Sequence, residues 1–186
     1  MATSLIDIFK EDIPVCLIFC GAPGTGKSTA ANYLLQHNER FVRISSDKII
    51  ESLAEEKNLT YNETFSLILR DKMMKDIENS MWKEFDQALA DKRSLIIDRT
   101  NMTVKSRSKW IEKVKDNGYR IIAVAFDSLT PAENHAFNSS RPPGRKINEK
   151  IIDDMRSRYE DPSETLIEEG YDMVVSHATP EMFYVI

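Results

Sequence analysis

An octet near the amino terminus has the composition of a phosphate-binding loop. It reads Gly21-Ala-Pro-Gly-Thr-Gly-Lys-Ser28 and lies between a short apolar run and a helical pattern. Glycines allow tight turns and a close approach of the backbone, so that successive N–H groups can point at phosphate oxygens. Lys27 would place a cation at the β- and γ-phosphates, Ser28 would offer a hydroxyl to Mg²⁺, and the following helix would add its positive end. The sequence thus predicts a site for ATP and magnesium formed by Gly21, Ala22, Pro23, Gly24, Thr25, Gly26, Lys27, Ser28 and Thr29.

Two aspartates follow apolar runs that read as strands. Asp98 ends the run Ser94–Asp98, and Asp47 comes after Ile44-Ser-Ser. A carboxylate at the end of a buried parallel strand lies beside the nucleotide in an open α/β sheet, where Asp98 could hold Mg²⁺ or orient an acceptor. Asp47 could accept the proton of an attacking hydroxyl. Each also has a plainer interpretation, because aspartates at these places cap helices or form turns.

A basic segment rich in proline is the third candidate. It runs Asn138-Ser-Ser-Arg-Pro-Pro-Gly-Arg-Lys146 and precedes a further helical pattern. Arginines on a lid can neutralise the charge of a transferred phosphoryl group while closure excludes water. We therefore predict a mobile lid over about residues 131–160, in which Arg141 and Arg145 contact the donor phosphates. The alternative is a solvated charged loop.

Short apolar runs alternate with helical patterns along the rest of the chain, which predicts a parallel α/β sheet. Because the runs are continuously hydrophobic, the strands should be covered on both faces. The predicted strands are Val15–Cys20, Phe41–Ser45, Ser94–Asp98, Arg120–Phe126 and Asp172–Val175. The predicted helices are Lys27–Gln36, Asp47–Glu56, a stretch Tyr61–Asp91 with room for one break, Val104–Asn117, a short helix from Thr130, and Asn148–Tyr159.

Composition limits the classes of protein that remain. A chain of 186 residues, 41% hydrophobic and 30% charged, fits one soluble domain over residues 1–186. A net charge of −5 argues against a surface that coats nucleic acid, although a local basic groove is compatible with it. Cys16 and Cys20 should point to one face of a strand as buried thiols, and the three histidines lack metal-ligand spacing. The absence of a signal peptide or a long apolar run predicts a cytoplasmic protein without membrane contact.

Four blocks taken in order resemble a known family. They are Gly-x-x-x-x-Gly-Lys-Ser28, Ile-Ser-Ser-Asp47, Ile-Ile-Asp-Arg-Thr-Asn101 and Asn-Ser-Ser-Arg141. Together they resemble the kinase domain of phage-type polynucleotide kinases, which belong to the small AAA-type P-loop kinases. The resemblance extends over about residues 15–176 and includes the tail Arg158-Tyr-Glu-Asp-Pro162.

The resemblance implies a three-layer sandwich and a role for each block. The fold would hold five parallel strands in the order 2-3-1-4-5, counted from the strand before the octet. Lys27 and Ser28 would serve ATP and Mg²⁺, Asp47 would be the general base on a 5′-hydroxyl, and Arg141 would touch the donor phosphates. The acceptor side would be lined by Asp98, Arg99 and Asn101.

One departure from the family bears on the acceptor. Polynucleotide kinases carry an arginine shortly after the base that grips a phosphate of the acceptor strand, whereas this chain continues Lys48-Ile-Ile50. Lys48 could substitute as a point charge without the arginine fork.

Four functions are compatible with these residues. The leading one is transfer of phosphate from ATP to a 5′-hydroxyl of DNA or RNA, and its close variant is phosphorylation of a hydroxymethylated base in DNA. A small-molecule kinase, acting on a nucleoside, sugar or metabolite, is favoured by the acidic charge and the missing arginine. A nucleotide-dependent switch or toxin-like module is the fourth. The sequence lacks an Asn-Lys-x-Asp segment of the kind that reads guanine, which disfavours GTP.

Overall fold

A computed structural model of the chain describes residues 2–3, 13–179 and 182–185. Seven strands appear in this part of the chain: β1 Ala2–Thr3, β2 Val15–Cys20, β3 Phe41–Ile44, β4 Ser94–Ile97, β5 Arg120–Ala125, β6 Met173–Thr179 and β7 Met182–Val185. The α-helices within the same residues are α1 Lys27–His37, α2 Ser46–Lys57, α3 Tyr61–Arg70, α4 Met74–Ala90, α5 Val104–Val114, α6 Pro131–Ser140, α7 Glu149–Arg156 and α8 Leu166–Glu169. Two 3₁₀ turns, Lys115–Asn117 and Pro143–Arg145, complete the described elements.

All seven strands form one sheet in the order β1-β7-β6-β5-β2-β4-β3. Strand β2 lies at the centre of a parallel group and pairs with β4 on one side and β5 on the other. Strands β3 and β6 extend this group in parallel. Counted from β2, the five parallel strands have the order 2-3-1-4-5, which confirms the expected fold. The sequence did not predict the two antiparallel strands, β7 against β6 and β1 against β7, that lengthen the sheet at one edge.

The central strand β2 is buried at every position, and its two faces contact different helices. Cys16, Ile18 and Cys20 face a core that includes Met81 and Phe85 of α4 and Trp110 of α5. Val15, Leu17 and Phe19 face a second core with Ala30, Ala31 and Leu34 of α1. Helices on both faces of a buried sheet make the three layers that the sequence predicted. The two thiols share one face as expected, and burial raises the pKa of both.

The long helical stretch from residue 61 to 91 is broken once. Helix α3 begins with a capping box, in which Thr60 Oγ1 accepts from Glu63 N and the N–H of Thr60 donates to Glu63 Oε2 at 2.8 Å. It ends before Lys72, whose φ of 57° breaks the helical path. Helices α2, α3 and α4 then share a small core around Ile50, Ile68 and Ile77.

Across the described residues, no helix is both long enough and apolar enough to cross a bilayer.

Candidate active site

The octet forms a tight loop between β2 and α1, and its glycines are required by its shape. A Cβ on Gly21 would lie 2.7 Å from Phe126 O and 2.8 Å from Phe126 Cβ, so no larger residue fits. Gly24 and Gly26 adopt φ of 80° and 93°, in the left-handed region that glycine tolerates. The N–H of Gly21 donates to Thr100 O at 2.8 Å, which ties the loop to the segment after β4.

Lys27 is buried within this loop. Its Nζ donates to Gly21 O at 2.9 Å and to Ala22 O at 2.6 Å, and lies 3.5 Å from Thr25 Oγ1. Burial lowers the pKa of Lys27 to about 8, an effect that the charges of Asp98 and Asp47 oppose. The loop therefore confines a cation that lacks a carboxylate in direct contact among the described residues, as a site for a polyphosphate requires.

The start of α1 is open to a ligand. Gly26 occupies its N-cap position, which has no side-chain cap within the described residues, as is also true of α2 and α4. Thr60, Thr103 and Thr130 cap α3, α5 and α6. Ser28 and Thr29 are exposed on the first turn. Uncapped N–H groups and an exposed hydroxyl fit a phosphate chain with Mg²⁺. Within the described residues, no group of three or more His, Cys, Asp or Glu side chains is arranged to hold a metal ion.

Asp98 is buried directly after β4 and pairs with an arginine that the sequence analysis missed. Arg43, on the neighbouring strand β3, donates to Asp98 Oδ2 from Nε at 2.8 Å, and its second nitrogen Nη2 lies 2.7 Å away. The backbone N–H of Asp98 donates to Ile44 O at 3.0 Å. Asp98 is thus a strand-end carboxylate already neutralised in part by Arg43. The sequence feature that could have indicated this ion pair is Arg43 itself, a lone arginine inside an otherwise apolar strand.

Asp47 lies in the first turn of α2 with its side chain exposed. Ser45 rather than Asp47 occupies the N-cap position of this helix. The carboxylate instead accepts a hydrogen bond of 2.8 Å at Oδ1 from the hydroxyl of Tyr61 in α3. Burial, followed by the charge of Asp47, raises the pKa of Tyr61. The plainer interpretation of Asp47 as a helix cap is therefore not realised.

The basic segment is docked onto both the loop and the α2–α3 layer. Asn134 of α6 donates from Nδ2 to Pro23 O at 2.8 Å. The Asn138 side chain joins the two ends of the segment, because it donates to Ile147 O at 2.7 Å and accepts from Ile147 N at 3.0 Å. Gly144 lies so close to Thr60 that a Cβ would be 2.9 Å from Thr60 Cβ. These bonds hold the segment against the loop in this structure, and the lid over about residues 131–160 stays a prediction. Asn134, which docks the segment, was not among the predicted site residues.

The two lid arginines have different surroundings. Among the described residues, Nη1 of Arg141 finds no hydrogen-bond partner although it is buried. Burial, followed by the charge of Arg145, lowers the pKa of Arg141, and Asp47 opposes this. Arg145 pairs with Glu51 of α2 at 2.5 Å and lies 5.1 Å above the ring of Tyr61. Arg145 therefore engages the helices beside Asp47 in this structure, and its contact with the donor stays a prediction.

Two further predicted residues are held by helix α4. Lys48 Nζ lies 2.5 Å from Glu84 Oε1, and Arg99 Nη1 lies 2.7 Å from Glu78 Oε1. Arg99 also contacts Met81 Sδ at 3.3 Å. Lys48 follows Asp47 in the chain and Arg99 follows Asp98, and each of the two cations is paired with a carboxylate of α4.

Asn101 makes its side-chain hydrogen bonds inside the protein. It is buried, with a φ of 44°, and its amide donates to Phe19 O at 2.8 Å while its Oδ1 accepts from Trp110 Nε1 at 3.1 Å. Its carbonyl accepts from Arg107, whose guanidinium forms a fully buried pair with Glu169 at 2.6 Å. The Asn101 side chain thus links β2 to α5 in this structure, and its place on the acceptor side stays a prediction.

The loop, its lysine and the parallel sheet define a P-loop kinase-like domain of the α/β class. A family model described as an AAA domain, AAA_33, matches residues 16–162, and the chain belongs to this family. A comparison with curated protein sequences gives no match. The P-loop kinase fold implies ATP and typically Mg²⁺ as its ligands.

Solved structures of several kinds share this fold. A chain of the PezAT toxin–antitoxin system of Streptococcus pneumoniae has a TM-score of 0.59 at 15% identity, over 92% of this chain and 72% of that one. A chain of the Pnkp1/Rnl/Hen1 RNA repair complex has a TM-score of 0.57 at 23% identity, over 82% of this chain and 46% of that one. A gluconokinase from Sinorhizobium meliloti 1021 has a TM-score of 0.53 at 14% identity, over 91% and 86%. At these identities the likeness shows a common fold alone.

Proposed function

We propose that this protein transfers the γ-phosphate of ATP to a hydroxyl group, with Asp47 as the general base. The observation that carries the proposal is the buried, unpartnered Nη1 of Arg141 in the described structure, close enough to Asp47 and Lys27 for their charges to interact. A buried donor without a partner is costly, and a phosphoryl oxygen would satisfy it. Arg141 would then lie between the donor phosphates and the base.

Each remaining residue supports one part of this reaction. Lys27 and the open first turn of α1 bind the polyphosphate. Ser28 and Asp98 are the residues that would hold magnesium, which when bound supplies charge neutralisation on the phosphates. Asp47 is exposed and accepts the proton of the attacking hydroxyl, while Arg141 neutralises the charge that spreads over the transferred group.

The leading acceptor is the 5′-hydroxyl of a DNA or RNA strand. The order of the four motif blocks supports it, and one structure of the same fold belongs to an RNA repair complex. Lys48 follows the base in the chain and Arg99 follows Asp98, and both could contact a strand if their pairs with α4 were exchanged for phosphate. A hydroxymethylated base in DNA would present the same kind of hydroxyl.

The ion pairs beside Asp47 favour a second candidate, a small-molecule kinase. Lys48 and Arg99 are paired with Glu84 and Glu78, so a polyanionic strand would have to displace carboxylates of α4. The Lys48–Glu84 pair is exposed, and such pairs contribute only about 0–1 kcal/mol and can be displaced. The Arg99–Glu78 pair is part-buried and should resist displacement more strongly. A nucleoside, sugar or metabolite would leave them intact. A toxin-like or switch module remains the candidate in which nucleotide is bound without a phosphorylated acceptor.

A panel of acceptors with labelled ATP tests these proposals. It should contain 5′-hydroxyl DNA and RNA oligonucleotides, DNA with a hydroxymethylated base, nucleosides and sugars. Labelled strands, with turnover that falls steeply with salt, would support the polyanionic acceptor. Asp47→Asn is the matched control: it should retain ATP binding and lose transfer. Transfer that survives in Asp47→Asn would exclude Asp47 as the base, and ATP binding without any labelled acceptor would favour the switch.

A further inference from the structure

One turn of helix α6 lies directly against the phosphate-binding loop. Asn134 Nδ2 donates to Pro23 O at 2.8 Å. A Cβ built on Gly24 would lie 3.0 Å from Asn134 Nδ2 and 3.9 Å from the backbone N of Asn138. Gly24 is a tight-turn residue of the loop, with φ of 80°. The stretch of α6 from Asn134 to Asn138 is therefore at the edge of the site proposed for the nucleotide.

Phe137 lies on this turn and is 56% exposed. Residues three apart share one face of a helix, so Phe137 lies on the same side of α6 as Asn134. Arg141 follows the helix at its C-cap position, where the backbone is extended. On this side of the helix Asn134 is fully buried against the loop, whereas the Phe137 side chain is largely exposed to solvent. Among the exposed large hydrophobic side chains in the described part of the chain, it is the aromatic one; the others are Ile13, Leu69, Ile151 and Ile167.

The other side of α6 is covered by the rest of the lid. His135, two residues before Phe137 and so on the opposite side of the helix, has its Nε2 2.8 Å from Asp153 Oδ1 of α7. The aromatic ring therefore does not serve the packing between α6 and α7. A single exposed hydrophobic residue needs no explanation by itself. An exposed aromatic ring has a ready explanation when the next residue is Asn138, whose backbone N would lie 3.9 Å from a Cβ built on Gly24 of the loop.

We propose that Phe137 is a stacking platform for the nucleobase of the donor nucleotide. This inference rests on the proposed function, because it requires that the loop bind a nucleoside triphosphate. The loop encloses only phosphates, so the base must lie beyond its edge, where an exposed ring can cover one of its faces. Stacking is tolerant of base identity, since every nucleobase has a π-face. The donor is therefore selected mainly by its phosphates, with a weak preference for the larger purines.

Direct binding measurements separate the base from the phosphates. The affinities of Mg-ATP and of magnesium tripolyphosphate are measured for the wild type, Phe137→Ala and Phe137→Trp. Ile151→Ala, which truncates an exposed residue of the next helix, is the matched control. Phe137→Ala should weaken ATP binding on the order of tenfold, as loss of an aromatic–base stack does, and leave tripolyphosphate binding unchanged. Phe137→Trp should keep ATP affinity and show fluorescence quenching with ATP but not with tripolyphosphate.

Each contrary result has a distinct meaning. If the wild type binds both ligands but Phe137→Ala binds ATP equally well, or Phe137→Trp shows no ATP-dependent quenching, the platform is overturned and the phosphate site stands. If Phe137→Ala lowers the affinity for both ligands equally, Phe137 supports the phosphate-binding loop and does not contact the base. That result also overturns the inference. If the wild-type protein binds neither ligand, both the proposed function and the stacking platform are excluded.

Discussion

Tyr61 donates a hydrogen bond of 2.8 Å from its hydroxyl to Oδ1 of Asp47. The same ring lies 5.1 Å below the guanidinium of Arg145, which pairs with Glu51. A tyrosine at the start of α3 thus contacts both the candidate base in α2 and the basic lid. The position of the base and the position of the lid are coupled through one side chain. A change at Tyr61 should therefore alter the rate of phosphate transfer.

Tyr61→Phe should lower kcat by about tenfold and leave the affinity for ATP unchanged. The variant loses the hydrogen bond that orients the Asp47 carboxylate, and a bond to a charged group contributes about 1.5–3 kcal/mol. It keeps the ring beneath Arg145, so the lid should still dock. Steady-state kinetics with saturating ATP and the preferred acceptor provide the measurement. Tyr33→Phe, in helix α1, is the matched control, and equal kcat values for the two variants would contradict a positioning role for Tyr61.

Arg141→Ala should reduce turnover by about a hundredfold or more, because an arginine that neutralises a transferred phosphoryl group contributes several kcal/mol. Its effect on the melting temperature should be small, since Nη1 forms no hydrogen bond to the described residues. Arg156→Ala is the contrasting lid variant, because Arg156 donates to Leu129 O at 2.7 Å and to Asn134 Oδ1 at 3.4 Å. It should lower stability by about 1–2 kcal/mol.

The two arginine variants are compared by thermal melts and single-turnover assays on the same preparations. Arg141→Lys should recover part of the rate, because it restores the charge without the fork. The lid assignment fails if Arg141→Ala unfolds the protein or if it turns over at the wild-type rate.

Local patterns in the sequence were sufficient for the sheet and for the loop. The octet can be recognised as a phosphate-binding loop from its own glycines and lysine. Strands such as Val15–Cys20 and Arg120–Ala125 can be recognised from their continuous hydrophobicity. The strand order came from the resemblance, because hydrophobic pattern alone does not say which strands are neighbours. The antiparallel strand Met182–Val185 went unpredicted, since the sequence analysis ended its last strand at Val175.

Contacts between distant residues account for what was missed at the site. Arg43 and Asp98 are far apart in the chain and meet only because β3 and β4 are parallel neighbours. Asn101 has the polarity of an acceptor ligand, but its role follows from Phe19 and Trp110, which no local pattern connects to it. The partners of Lys48 and Arg145 likewise come from other helices.

Asn101→Ala should destabilise the fold by about 3 kcal/mol or more. The change leaves Phe19 O and Trp110 Nε1 without their partners at buried positions, each at a cost of about 1–3 kcal/mol, and it keeps an alanine at positive φ. Urea unfolding measures the effect. Asn62→Ala, at an exposed position of α3, is the control and should change stability by less than about 0.5 kcal/mol. If Asn101→Ala were as stable as the wild type and lost acceptor binding only, the residue would line the acceptor site after all.

Nucleotide affinity should decrease as the pH rises through about 8. Burial lowers the pKa of Lys27 to about 8, so the side chain is an ammonium below this pH and becomes neutral above it. A bound polyphosphate favours the charged form, and binding above that pH must therefore take up a proton, which weakens affinity by up to about tenfold per pH unit. Titrations of Mg-ATP binding between about pH 7 and about pH 9.5 should show this decline. Lys27→Ala should bind ATP far more weakly and lose the pH-dependent step, whereas a flat wild-type profile over that range would mean that the Lys27 ammonium does not contact the phosphates.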